Sequence, residues 1–168
     1  MTDEQLKQQL KALESGDKTA FADIYSELKT PVFTVLVRLT GDRTLSEDIL
    51  QEVFLRLYRQ PPKAEKPRAY VFRMARNLAI DALRQKQPCD PLEEHTLQTD
   101  PDPTVKLDLE RALAALTVEE QQLVALHLSA GLTFREVAAI VERQLGTVLW
   151  RYRKAIEKLR ILLDGGRV

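Results

Sequence analysis

The stretch PRAYVFRMARNLAIDALRQK, residues 67–86, decides how the rest of this chain is interpreted. Placed on a helix at 100° per residue, its apolar side chains fall on one side, namely Val71, Met74, Ala75, Leu78 and Ala82. A second side carries an aromatic ring, an amide and charges, on Tyr70, Arg73, Asn77, Asp81 and Arg84. Such a face is suited to gripping a phosphate backbone and meeting bases. A solvated basic helix is the competing interpretation.

The composition predicts an all-α protein. Glycine occurs six times in 168 residues, 30% of residues are charged, and long stretches have helical periodicity. No apolar run approaches the ~20 residues of a membrane span, and the polar N-terminus is unlike a signal peptide. One cysteine and two isolated histidines predict no internal disulfide, structural metal or other cofactor. We therefore expect a cytoplasmic protein without membrane insertion.

The net charge of zero conceals a division of the chain into three parts. Residues 1–86 carry 15 basic and 12 acidic side chains, residues 87–120 carry 2 and 9, and residues 121–168 carry 8 and 4. Zero net charge therefore does not exclude a polyanionic partner. The acidic, proline-rich segment 87–105 predicts a flexible linker, either merely solvated or mimicking nucleic acid. We expect two small helical domains, 1–86 and 106–168, on either side of it.

The first domain is predicted to contain three helices before residue 67. They cover residues 3–14, about 18–39 with Pro31 kinking or interrupting the helix, and Glu47 to about Arg59. Thr44 and Glu47 fit a capping box for the third helix. That helix directs Ile49, Leu50, Val53, Phe54 and Leu57 inwards. Its outward face is either a solvent-exposed surface without a partner or a protein-docking surface. This face carries Asp48, Gln51, Glu52, Leu55, Arg56 and Arg59.

The last third has the pattern of a helix-turn-helix. A helix from about Thr104 to Leu116 is followed by capping boxes at Thr117 and Thr133. The helix between the two boxes has Leu123, Val124, Leu126 and Leu128 as its apolar members, and it is predicted to end at Ala130-Gly131. A short helix, a turn at residues 142–144 and a longer basic helix follow. In this arrangement the second helix enters the major groove.

That last helix runs from Leu145 to about Leu163. Its predicted buried side is Val148, Tyr152, Ala155, Ile156 and Leu159. The opposite side carries Gly146, Thr147, Trp150, Arg153, Lys154 and Glu157, with Arg151 at the margin. An exposed tryptophan there either packs against a neighbouring domain or dimer mate, or contacts a base edge or a bound protein.

Three pieces of the chain, in order, resemble one family. They are AFADIYSELKTPVFTVLVRLTGDRTLSEDILQEVFLRLY, AYVFRMARNLAIDALR, and ALAALTVEEQQLVALHLSAGLTFREVAAIV followed by LGTVLWRYRKAIEKLR. From Asp17 to Arg160 the chain resembles bacterial RNA polymerase sigma factors of the extracytoplasmic-function (ECF, group IV) type, which have only regions two and four. The resemblance implies a non-enzymatic protein that binds core RNA polymerase and promoter DNA to direct transcription initiation.

The resemblance also implies roles for particular residues. The family's core-polymerase-binding helix matches Asp48, Gln51, Glu52 and Arg56. Its promoter-melting helix matches Tyr70 and Asn77, which would hold an unstacked minus-ten base, with phosphates neutralised by Arg73, Arg76 and Arg84. The minus-35 positions match Thr147, Leu149, Trp150, Arg153 and Lys154, with Arg151 beside them.

The chain departs from the family in region four. Leu149 and Trp150 replace groups that are usually polar or basic, and Glu142 replaces the usual glycine of the turn. This departure indicates either an unusual promoter element or a surface held by an anti-sigma factor, which is a further candidate partner.

Three alternatives compete with this interpretation. A sigma-like interaction module would bind a protein partner through Leu149 and Trp150 without opening promoters; Tyr70, Asn77 and the basic stripe argue against it. A two-component regulator would need a receiver domain, yet residues 1–86 show no βα alternation. An enzyme is disfavoured because the sequence has no glycine-rich phosphate loop, His/Cys ligand set or nucleophile–base pair.

Overall fold

The computed structural model describes residues 1–86 and 107–164, and within these ranges it is helical with no β-strand. The helices are α1 (Asp3–Glu14), α2 (Lys18–Thr40), α3 (Arg43–Arg59), α4 (Pro67–Lys86), α5 (Leu107–Ala114), α6 (Val118–Val124), a π-helical turn (Ala125–Ser129), α7 (Phe134–Val141) and α8 (Leu145–Asp164). The predicted all-α class is confirmed. The predicted linker, residues 87–105, lies wholly outside the described residues.

The second helix, α2, runs without interruption through Pro31. A proline inside a helix costs about 3 kcal/mol, because it removes a backbone hydrogen bond and crowds the preceding turn. The flanking residues Leu28 and Val32 are fully buried, so packing on both sides of the proline offsets that cost. Of the two predicted alternatives, a kink or an interruption at Pro31, the interruption is wrong.

The junction between α2 and α3 is set by Gly41 and Asp42. Gly41 adopts a left-handed conformation, with φ 67°, and ends α2. The carboxylate of Asp42 then accepts a hydrogen bond of 3.1 Å from the backbone N–H of Leu45, so α3 begins at Arg43. The capping box predicted at Thr44 is therefore wrong, because the chain is already capped two residues earlier.

The two capping boxes predicted in the last third are confirmed. The Thr117 and Thr133 hydroxyls each accept from the backbone three residues on, and Glu120 and Glu136 reach back reciprocally. Of the apolar members of the helix between them, Leu123, Val124 and Leu126 are buried, and Leu128 is 61% exposed. Leu128 lies in the π-helical turn with which this helix ends.

One cluster of buried apolar side chains extends from α1 to the start of α8. It joins Ile24 and Phe72 of the first predicted domain to Leu126 and Ile140 of the second, because α2 packs on α6 and α4 packs on α7. A smaller cluster joins α5 and α6 to α8, through Ala112, Leu116, Val124, Ala155 and Leu159. The described parts of the two predicted domains thus pack against each other.

Polar contacts reinforce this packing between the two halves. The Arg38 guanidinium pairs with the Glu110 carboxylate at 3.0 Å, and both side chains are mostly buried. The Arg68 guanidinium donates to the carbonyl of Ala130 at 3.0 Å. The first contact joins α2 to α5, and the second fixes the start of α4 against the C-terminal half.

Candidate nucleic-acid interface

Helix α4 begins and ends at the residues that the sequence predicts. Of the predicted apolar stripe, Val71 and Ala75 are fully buried, while Met74, Leu78 and Ala82 pack partly buried against the core. The structure adds Phe72 and Ala79 to the buried side. The predicted outward face is exposed in full, at Tyr70, Arg73, Asn77, Asp81 and Arg84.

The Tyr70 ring, 46% exposed, lies between concave surfaces. A cleft of about 270 Å³ runs along α4, and its walls are Arg56, Tyr70, Arg73, Met74, Asn77, Leu78 and Asp81. A second cleft, of about 450 Å³, opens towards the end of α3, with walls of Arg56, Arg59, Gln60, Tyr70 and Met74. We call these two clefts together the Tyr70 recess. It combines an aromatic face, an amide and guanidinium groups, which can stack on a base, contact its edge and balance its phosphates.

The sequence alone did not indicate that the last turn of α3 lines the same recess as α4. Arg59 and Gln60 contribute to it beside Tyr70, and Arg56, assigned by resemblance to polymerase binding, lies there too. The available signal was the short connection from Gln60 to Lys66, which returns the chain beside the helix it has just left.

A third cleft joins α4 to α7. It has a volume of about 330 Å³, and its walls include Lys66, Tyr70, Arg73, Arg135 and Glu136. Lys66 and Glu136 approach to 3.6 Å across it. The basic surface around Tyr70 therefore continues onto the C-terminal half, which linear sequence order could not reveal.

The side chain of Arg76 contacts α7 of the protein itself instead of extending into solvent. It is half-buried, and its guanidinium donates to the carbonyl of Ile140 at 3.2 Å. Its Nε is buried without a partner among the described residues, and burial lowers the pKa of the Arg76 guanidinium. Its predicted contact with a DNA phosphate would require Arg76 to leave α7.

The outer face of α3 carries the predicted polymerase-binding residues. Asp48 and Gln51 are exposed, and Glu52 pairs with Arg56 at 2.8 Å, one helical turn apart. Between them lies Leu55, 41% exposed. An apolar centre with a polar rim is the usual composition of a protein-docking surface.

The outer face of α8 is dominated by Trp150, which is 58% exposed. The Lys154 ammonium lies 4.6 Å from the centroid of the indole ring, within cation–π range. Arg153 is exposed, and Thr147 and Leu149 are half-buried. Of the predicted buried side, Val148, Ala155 and Leu159 are buried, while Tyr152 and Ile156 are only partly buried.

Arg151, at the margin of that face, is held by an acid. Its guanidinium donates to the Glu119 carboxylate of α6, and Arg143 approaches the same carboxylate at 3.7 Å. A DNA contact by Arg151 stays a prediction, and it would compete with this ion pair.

Glu120 ties α6 to α8 from below. Burial raises the pKa of its carboxyl, but hydrogen bonds from Lys158 and Thr117 outweigh that effect and leave the pKa of Glu120 below its usual value. The Lys158 ammonium lies 2.7 Å from the carboxylate. The ionised form of Glu120 is thus favoured, and its ion pair with Lys158 fixes the position of α8 relative to α6.

The turn between α7 and α8 contains a strained residue. Glu142 adopts φ 56° and ψ 44°, the left-handed region in which a residue other than glycine costs roughly 1–2 kcal/mol. Its N–H caps α7 through the carbonyl of Ala138. Glu142 therefore adopts the left-handed backbone conformation that a glycine favours.

Two further findings concern the described ranges, 1–86 and 107–164. No group of three or more His, Cys, Asp or Glu side chains there is arranged to hold a metal ion. No helix in the same ranges has the length and apolar character needed to cross a bilayer.

Comparisons with known proteins agree with this geometry. Residues 24–88 match the family model for Sigma-70 region 2. The ECF RNA polymerase sigma factor SigK of Mycobacterium tuberculosis H37Rv is 29% identical, over 92% of this chain and 91% of SigK. The ECF RNA polymerase sigma factor SigW of Bacillus subtilis is 27% identical, over 92% of this chain and 95% of SigW.

Two solved structures share the fold. CnrH, solved in complex with the cytosolic domain of CnrY, has a TM-score of 0.64 at 19% identity, covering 96% of this chain and 98% of CnrH. The sigma factor RpoE of Bartonella quintana, solved with the anti-sigma factor NepR, has a TM-score of 0.62 at 21% identity, covering 84% and 97%.

Residues 24–88, which span most of α2 and all of α3 and α4, are thus similar to Sigma-70 region 2. Over 92% of its length, the chain is similar to ECF RNA polymerase sigma factors.

Proposed function

We propose that this chain is a sigma factor that binds core RNA polymerase and directs promoter-specific transcription initiation by recognising and melting promoter DNA. The observation that carries the proposal is the Tyr70 recess, where an exposed ring, Asn77 and Arg73 meet on one face of α4. Opening a duplex costs a few kcal/mol for each extruded base. Stacking on an aromatic ring returns about 1–3 kcal/mol per base.

In this proposal each half of the chain has its own task. The outer face of α3, with Leu55 at its centre, docks on the polymerase through Asp48, Gln51 and Glu52. Helix α4 holds an unstacked base of the minus-ten element between Tyr70 and Asn77. Helix α8 contacts the minus-35 duplex. No bond is made or broken in these steps, so the proposed activity is binding and strand separation rather than catalysis.

An anti-sigma factor is proposed as a further partner. CnrH and RpoE were solved with CnrY and NepR respectively, and this chain shares their fold. Binding of such a partner would restrain the chain by covering the surfaces that polymerase or DNA needs.

The test is transcription in vitro with purified core polymerase on a promoter library, followed by mapping of the transcripts. Wild-type protein should select a defined promoter set, and Asn77→Ala should lose minus-ten selectivity while keeping affinity for core polymerase. Gln8→Ala is the matched control, because Gln8 is an exposed amide on α1 away from these faces. Core binding without promoter-dependent transcripts from the wild type would contradict the proposal and favour the sigma-like interaction module.

A further inference from the structure

The first two turns of α8 offer a partner mainly small and apolar groups. Gly146 is exposed without a side chain, Thr147 and Leu149 are half-buried, and Trp150 projects a large ring into solvent. Arg151, the first charged side chain of the helix, is already paired with Glu119. A surface of this kind has few hydrogen bonds to give to a base edge, but it has apolar area.

Gly146 adds an independent observation. A Cβ placed there would meet no atom of the protein within 4 Å, so packing inside the fold does not require a glycine. In a helix, glycine is also less favourable than alanine by roughly 0.5–1 kcal/mol. Gly146 precedes Trp150 by four residues, hence by one turn of the same face. The missing side chain lets the backbone approach an external surface beside the indole.

The charges around the indole ring of Trp150 indicate which kind of partner surface fits this part of α8. The Lys154 ammonium lies 4.6 Å from the ring centroid, and Arg153 is exposed next to it. A purely apolar protein groove would have to desolvate both cations, which is costly. The phosphates that border a major groove would instead neutralise them.

We infer that α8 reads thymines in the promoter duplex through their 5-methyl groups, with Trp150 as the contacting residue and Gly146 permitting the approach. The inference rests on the proposed function, in which α8 enters the major groove. The methyl group is the apolar feature that distinguishes thymine there. An indole edge buries it without needing a hydrogen bond.

Deoxyuridine tests this inference, because it differs from thymidine only by the missing 5-methyl group. The holoenzyme is assembled on a promoter that it selects, and each thymine of the upstream element is replaced singly. For wild type we expect one or two positions at which affinity falls roughly fourfold, the value of one buried methyl. Trp150→Ala should lower affinity for the thymine promoter and show no penalty at those positions.

Two variants complete the design. Ile161→Ala is the matched control, since Ile161 is also an exposed apolar residue of α8, at 64%, and it should keep the wild-type penalties. Gly146→Ala should weaken promoter binding without lowering the stability of the free protein. Thermal unfolding of each variant separates loss of contact from loss of fold.

The outcomes distinguish the inference from the proposed function. If wild type initiates but shows no deoxyuridine penalty, or if Trp150→Ala keeps the full penalty, the inference is overturned and the proposed function stands. Transcripts unchanged by Trp150→Ala together with lost affinity for a protein partner would overturn it too. A wild type that never initiates overturns both.

Discussion

Helices α4 and α8 are built alike but present their aromatic rings differently. Each has 20 residues, and each carries an exposed ring with basic neighbours. Tyr70 of α4 lies in a recess shared with the end of α3. Trp150 of α8 stands out from the helix, with Lys154 over its ring.

The difference indicates what each helix can bind. A recess with an aromatic wall can enclose a base only after that base has left its duplex. A helix with an exposed aromatic ring on its outer face can enter the major groove of DNA while the base pairs stay stacked. Two basic helices of one chain are thereby suited to the opened and the closed form of the same nucleic acid.

Removing the ring from the recess is expected to have the largest effect. Tyr70→Ala should cost about 1–3 kcal/mol of open-complex stability, because the extruded base loses its stacking partner. Tyr70→Phe keeps the ring and should stay close to wild type. Open-complex lifetime on linear promoter DNA measures both variants. Equal losses in the two variants would show that the hydroxyl, and not stacking, matters.

The junction between the start of α3 and the end of α4 is expected to matter next. Asp42 caps α3, and its carboxylate lies 3.2 Å from the ammonium of Lys86 at the end of α4. Asp42→Ala should lower the free energy of unfolding by about 1 kcal/mol, the usual value of an N-cap. Urea denaturation at neutral pH measures this loss, which a Thr44→Ala control should not reproduce.

The same cap predicts a pH dependence. The hydrogen bond from the Leu45 N–H, with a further contribution from Lys86, holds the pKa of Asp42 below its usual value. This stabilisation is therefore complete above the ordinary carboxyl pKa, and it is lost as pH falls through the lowered pKa. Asp42→Asn keeps an acceptor but does not titrate. Its thermal unfolding should depend less on pH in the acid range than that of wild type.

The arginines of α4 are expected to separate into two kinds. Arg76→Ala should cost about 0.5–1 kcal/mol of stability, because the Ile140 carbonyl loses a donor, and should alter DNA affinity little. Arg73→Ala should leave stability unchanged and reduce the salt dependence of DNA binding by about one unit of slope. Denaturation measures the free energy of unfolding of both variants, and salt titration measures the salt dependence of their DNA binding. An exchange of the two behaviours would mean that Arg76 leaves α7 to contact DNA.

The smallest effect is expected at the margin of α8. Arg151 is paired with Glu119, so Arg151→Ala should change DNA affinity less than Arg153→Ala does. Its loss of stability should stay below about 1 kcal/mol, as for other solvent-accessible ion pairs. Competition binding to promoter DNA at two salt concentrations compares the affinities of the two variants. A larger loss for Arg151→Ala would show that the ion pair breaks when DNA binds.

Helix periodicity predicted the bounds of α4 and its outward face correctly, because both depend on the local order of residues. It did not indicate the π-helical turn at Ala125–Ser129, because such a turn leaves no apolar signal in the sequence. It missed the cap at Asp42, because two capping patterns overlap there in the sequence.

The partners of Arg76 and Arg151 could not be predicted in the same way. Periodicity gives the direction of a side chain about its own helix, whereas Ile140 and Glu119 come from other helices. The Tyr70 recess was missed for the same reason, since part of its lining comes from the end of α3. The turn predicted at residues 142–144 is present, and Glu142 forms it in a left-handed conformation at the position where the family usually has glycine.

The division of tasks between α4 and α8 is tested most directly by 2-aminopurine placed in the non-template strand of the minus-ten element. Its fluorescence rises when the base leaves the stack. Holoenzyme with Trp150→Ala, at concentrations that restore promoter binding, should give the wild-type rise, while Tyr70→Ala should bind promoter duplex and give little. A full rise with Tyr70→Ala would contradict the assignment of strand opening to the Tyr70 recess.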